Sequence, residues 1–179
     1  MKILAIDIGG GTGIAVDGPE HYKPLLIAVR LPPARDGEYG PGALKFWNVL
    51  LAAIEEHRPD LIAYERVARQ DGEGWRGKTN DNAARQQYGR SYVLEMAAAK
   101  FGIPCEDAAV STIRKHFVGH GRPKDAKRAV STRCRQLGWR PPDHNCADAA
   151  ALWSYFKSEY EPAFGAQVTP LMRHEERLS

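Results

Sequence analysis

Residues 2–17, KILAIDIGGGTGIAVD, decide how this chain is read. KILAIDIG has the apolar run of a buried strand, and the glycines that follow free the backbone to turn. GIAVD, residues 13–17, and LLIAVRL, residues 25–31, then supply two more strands of a hairpin meander. Asp7 stands where the first apolar run ends. A carboxylate at a buried strand end is costly unless something positive meets it. A turn aspartate satisfied by its own glycine amides is the bland alternative.

Further along, proline, glycine and charge mark a loop from Pro32 to Gly42. Ala43, Trp47, Leu50, Leu51 and Ile54 then recur at the spacing of a core-facing helix. PDLIAYE, residues 59–65, reads as a fourth strand. The helix before it acts as a crossover, so this strand is expected to run parallel to the first and to carry Glu65 beside Asp7. At a strand spacing of roughly 4.8 Å the two carboxylates come within reach of one bridging metal.

A loop from Val67 to Asn82, rich in glycine and charge, precedes a long helical pattern through Ala84, Tyr88, Tyr92 and Met96 up to Phe101. IPCEDA gives a fifth short strand, and STIRKHF a brief helix ending at Gly119. A basic helix follows Arg122-Pro123 and runs to Gly138. The last helix covers about Asn145 to Lys157, with Ala149, Leu152, Trp153 and Phe156 as its apolar stripe. Periodicity stops after Tyr160. One α/β domain over residues 1–158 and a loosely structured tail over 159–179 are expected.

Composition sets the outer bounds. The chain has 179 residues, 43% of them hydrophobic, a formal charge of +3 and a pI near 8.8. That is enough for a real core, and a polyanion-binding face has to come from local clustering rather than overall charge. Cys105, Cys134 and Cys146 fit no disulfide framework, and a zinc site from Cys134, His144 and Cys146 has no matching spacing. No apolar stretch reads as a signal peptide or a membrane helix, which leads to the expectation of a cytoplasmic protein with no membrane partner.

Asp148 is the third carboxylate of interest, at the edge of the last helix's apolar stripe. Asp7, Glu65 and Asp148 together form an oxygen-rich set suited to Mg²⁺, with Mn²⁺ as a substitute, and to phosphodiester hydrolysis. His144, four residues before Asp148, is the fourth-ligand candidate. Asp143 suits an N-cap instead. Arg114, Lys115, Arg122, Lys124, Lys127 and Arg128 crowd one turn and helix start, a candidate phosphate track. In the loop after Glu65, Arg69, Trp75, Arg76 and Lys78 combine positive charge with an aromatic that either stacks on an unpaired base or anchors the loop internally.

Four segments in order, AIDIGGGTGIAV, IAYERV, FVGHGRPKDAK and DHNCADAAALW, resemble the RuvC group of Holliday junction resolvases in the RNase H-like superfamily. The resemblance spans most of residues 1–158. It implies an RNase H-like fold, a five-stranded mixed sheet of a three-strand meander plus two parallel strands flanked by helices. It also implies a homodimer that makes paired nicks in branched, four-way DNA. A basic catalytic residue is implied near the acids, with Lys124 the first candidate and Lys127 the alternative. Asn145 departs from the acidic residue or histidine that many members carry three residues before the last Asp, and the HNxAD form is similar to phage-like and plastid members with a histidine where His144 stands. Two other readings compete: a junction-binding protein of the same fold without robust cleavage, and an ATPase phosphate loop of the actin and sugar kinase type. The second is opposed by the chain's size and its lack of another glycine-rich motif.

Overall fold

A computed structural model of the chain describes residues 1–9, 11–34, 37–67 and 81–168. Its elements are β1 (Ile3–Asp7), β2 (Thr12–Asp17), β3 (Pro24–Val29), α1 (Gly40–His57), β4 (Leu61–Glu65), α2 (Asp81–Phe101), β5 (Cys105–Ala108), α3 (Val110–Val118), α4 (Ala126–Gln136), α5 (His144–Tyr160) and α6 (Pro162–Val168). The strands form one sheet in the order β3-β2-β1-β4-β5. β1 pairs antiparallel with β2, and β2 with β3; β1–β4 and β4–β5 are parallel. This is the RNase H-like mixed sheet anticipated from the meander and the helical crossover.

Side-chain alternation divides the core into two layers. Leu4, Ile6, Ile14, Val16, Ile62 and Tyr64 face α1 and α2, meeting Phe46, Leu50, Ile54, Leu94 and Ala97. Ile3, Ala5, Ala15, Leu61 and Ala63 face the other way, onto α5 and its neighbours. α5 is buried on nearly every side, through Ala147, Ala149, Ala150, Ala151, Leu152, Trp153 and Phe156. Its small residues let it lie close on the sheet. The closest approach is at Gly13 of β2, where an added Cβ would come 2.2 Å from the Asn145 carbonyl oxygen.

Several elements depart from the sequence reading. α4 starts at Ala126 rather than just after Arg122-Pro123, because the Asp125 side chain accepts from the Arg128 amide and caps the helix there. α1 begins at Gly40, so the last three residues of the expected loop are helical. On α2 the periodic large residues point outward: Tyr88 is 37%, Met96 57% and Tyr92 70% exposed, while the buried face is made of Ala84, Arg90, Ser91, Leu94, Ala97 and Ala98. Residues 162–168, expected to be loose, form α6. There Phe164 packs edge-on against Trp153 with ring centroids 5.1 Å apart. No helix among the described residues is long and apolar enough to cross a membrane.

Candidate active site

Asp7 closes β1 and Glu65 closes β4. The parallel register pairs Ile6 with Tyr64, so one further step brings the two acids alongside each other. Both continue the odd-numbered series of their strands, Ile3-Ala5-Asp7 and Leu61-Ala63-Glu65, and therefore project toward the layer occupied by α5. Asp143 caps α5 by accepting from the Cys146 amide at 2.8 Å, as anticipated. That cap fixes the start of the helix and places Asp148 in its second turn, over the ends of β1 and β4.

All three carboxylates are raised, and two of them feel a neighbouring acid. Burial pushes Asp7 from an ordinary 3.8 up to about 7; the Gly9 amide and Arg90 oppose the rise, and Glu65 and Asp148 add to it. Glu65 is raised to about 7, again by burial first and then by Asp148, with Arg114 opposing. Asp148 is raised by burial and relieved by Arg114, Lys127 and His144. A pocket of roughly 130 Å³ opens beside Asp7 and Glu65, walled by Gly9, Val67, Gln87 and Val110. Asp7 accepts from its own turn, at 3.0 Å from the Gly9 amide. The turn-aspartate reading therefore describes one oxygen of this group and leaves its second to the pocket.

The donors are hard oxygens, each partly desolvated and two of them facing a neighbouring acid, and a divalent cation is the partner that relieves both penalties. In that sense the residues fit a metal. Among the described residues no group of three or more His, Cys, Asp and Glu side chains is drawn in closely enough to hold an ion. His144 stands at the rim, exposed, with Nδ1 3.2 Å from Ser131 Oγ; Asp148 feels its charge, and Asp7 and Glu65 do not. Cys134 and Cys146 are buried thiols, each pushed up to about 12, and belong to the core rather than to a zinc site.

Of the basic residues, Lys127 is the lysine whose charge reaches Asp148, and Arg114 of α3 reaches both Asp148 and Glu65. Lys124 lies exposed in the turn before α4, as does Arg122; Arg128 is exposed on α4. Arg69, Trp75, Arg76 and Lys78 fall outside the described residues. Sequence reading had put Arg114 in a phosphate track neighbouring the acids, and it missed Gln87 and Arg90. A helix of alternating charge gives no sign of which cation turns inward.

The raised carboxylates imply a pH signature. Unfolded Asp and Glu titrate near 4, so between about pH 4 and pH 7 the folded protein holds protons that the unfolded chain has released. Stability of the metal-free protein should therefore fall as pH rises through that window. In EDTA the thermal midpoint is expected to drop from about pH 5 to about pH 8, and Asp7→Asn to remove part of the slope. His116, lowered by burial, pulls the opposite way, so the difference between wild type and variant isolates Asp7. Identical slopes in the two proteins would show that Asp7 titrates normally.

No family model matches the chain. Individual relatives do. The crossover junction endodeoxyribonuclease RuvC of Salinispora arenicola is 33% identical over 159 residues, covering 85% of each chain. That of Rhodococcus jostii is 30% identical over 158 residues, covering 85% of this chain and 78% of its own. Among solved structures, T. thermophilus RuvC in complex with a Holliday junction substrate superimposes with a TM-score of 0.65 at 20% identity, over 85% of this chain and 90% of that one. The yeast mitochondrial Holliday junction resolvase Ydc2 gives 0.57 at 14% identity, over 99% of this chain and 84% of that one. Fold, strand-end acids and a one-third identity that runs nearly end to end agree: the chain belongs to the RuvC family of crossover junction endodeoxyribonucleases.

Proposed function

We propose that this protein resolves four-way or branched DNA junctions by metal-dependent hydrolysis of paired phosphodiester bonds. The observation that carries the reading is that Asp7, Glu65 and Asp148, brought from two strand ends and a helix, are all raised by burial, with Asp7 raised further by both other acids and Glu65 by Asp148. Divalent cations bound there, Mg²⁺ by the hardness of the donors and Mn²⁺ as a substitute, supply Lewis-acid activation of water and neutralise charge at the phosphate. Asp7, Glu65 and Asp148 hold them, with His144 as the fourth donor from the first residue of α5. Arg114 and Lys127 flank the acids and offset charge that develops on the phosphate. Lys127 is the better of the two lysine candidates for that task, since its charge reaches Asp148. Lys124 then serves with Arg122 and Arg128 as backbone contacts, and Arg69, Trp75, Arg76 and Lys78 approach the junction from the loop after β4.

Two symmetric cuts require two active sites, and a homodimer supplies them. The outward apolar row on α2, Tyr92 and Met96, is the face we assign to the second copy. The deciding experiment is cleavage of a synthetic four-way junction with Mg²⁺, compared with binding in EDTA. Paired nicks with Mg²⁺ and intact junction binding in EDTA are expected. Binding without cleavage would favour a junction-binding protein of this fold.

The basic track has its own test. Replacing Lys124 and Lys127 together by Gln should flatten the salt dependence of junction binding in EDTA by up to about two units of log–log slope, one per lost phosphate contact. An unchanged slope would take both lysines off the DNA.

A further inference from the structure

Arginine is seldom taken out of water without an acid to match it. Arg90, midway along α2, is 6% exposed, and among the described residues it meets neutral oxygens only. Nη1 donates to the carbonyls of Ile8, at 3.4 Å, and of Gly9; Nη2 donates to the Gln86 side chain at 3.1 Å. Ile8 and Gly9 are the two residues after Asp7, and the Gly9 amide donates back to Asp7 Oδ1. One continuous path thus joins a helix on the far layer of the sheet to the carboxylate at the end of β1. Gly9 has no side chain to stiffen or anchor its own backbone, so the position of the Ile8-Gly9 segment gains from a fastener outside it. The guanidinium is such a fastener. Its planar fork spans two carbonyls and a side-chain amide, which a lysine's single ammonium cannot do in the same geometry.

We propose that Arg90 is a positioning residue for the metal centre: it holds the backbone that aims Asp7, and it sets a buried positive charge near that carboxylate. The inference rests on the nuclease reading above. Arg90 touches neither DNA nor the reacting atoms in this scheme; it acts through Asp7.

The test is Mn²⁺ affinity, read by electron paramagnetic resonance of free Mn²⁺, on DNA-free wild type, Arg90→Lys and Arg90→Met. Melting in EDTA checks folding, and junction binding in EDTA checks the DNA surface. Arg90→Lys is expected to stay folded and bind junctions like wild type while Mn²⁺ affinity drops by about tenfold, the lower end of what removing a ligand's orienting partner costs. Cleavage by that variant should recover as Mn²⁺ is raised, whereas Arg90→Met should lose more and recover less. Mn²⁺ affinity in folded Arg90→Lys within about twofold of wild type would overturn the proposal. If both variants fail to fold, Gln86→Ala removes only the side-chain partner of Nη2 and should weaken Mn²⁺ binding by about threefold, the worth of one modest hydrogen bond; no change there overturns the proposal equally. Wild type that binds no Mn²⁺ would sink the nuclease reading and this inference together, whereas normal wild type with unaffected variants sinks the inference alone.

Discussion

Asp7→Asn should abolish junction cleavage, by about three orders of magnitude or more, equivalent to about 4 kcal/mol of lost transition-state stabilisation. The amide keeps the shape and the hydrogen bond from Gly9, but it surrenders the negative charge that the proposed mechanism uses to hold a cation at the ends of β1 and β4. The basic residues of α3, α4 and the turn between them are untouched, so junction binding in EDTA should stay within a few-fold of wild type. The variant also carries its own control. Burial and its two acidic neighbours raise Asp7, so replacing it relieves a charge that the fold strains to hold. Without metal at about pH 8 the variant should melt above wild type rather than below it. A variant that cleaves normally removes Asp7 from the chemistry. One that fails to cleave and also melts earlier would point to a folding defect instead.

Lys157→Ala should have the largest effect on stability, a loss of about 3–5 kcal/mol. Lys157 is 2% exposed on α5, and its Nζ reaches Asp17 at 2.6 Å, Glu161 at 2.8 Å and the Met1 carbonyl at 2.9 Å. Asp17 at the end of β2 also accepts from the Trp153 indole at 3.1 Å and the Ile3 amide at 2.7 Å. Truncating the lysine leaves Asp17 charged in a setting where its side chain is only 15% exposed. Guanidinium denaturation reads the loss directly. Pairing Lys157→Met with Asp17→Asn should recover much of it, because both charges then leave together. A loss below about 1 kcal/mol in Lys157→Ala would show that the network is no stronger than a surface pair.

The acidic residues were legible because each interrupts or ends an apolar run, a placement that the physics of burial makes expensive. The sheet was legible for a related reason. Three extended runs, a helical crossover and a fourth run leave few topologies, and the parallel β1–β4 pairing follows from them. What the sequence hid are facts of orientation. Tyr88, Tyr92 and Met96 are spaced like a core stripe yet lie outside, since Ala97, Ala98 and Leu94 let α2 pack more closely on its other side. Arg90 looks like one more surface charge in a polar helix, and only the path of the β1–β2 turn makes it internal. Lys124 and Lys127 could not be ranked from spacing, because the cap at Asp125 decides where α4 begins and hence where its cations point. α6 is too short to show a period, and it is anchored by Phe164 against Trp153 and Tyr22 and by the buried Val168, whose carbonyl accepts from Arg133.

Gly13 has a consequence for the distance between the acids. The first turn of α5 rests on bare backbone there, closer than any side chain would permit, and Asp148 rides on the next turn of that helix. The gap across which the third carboxylate faces the other two is thus gauged by a missing methyl group on a neighbouring strand. Any residue with a Cβ at that point acts as a shim under the helix, widening the jaws of the site without touching any of the three acids.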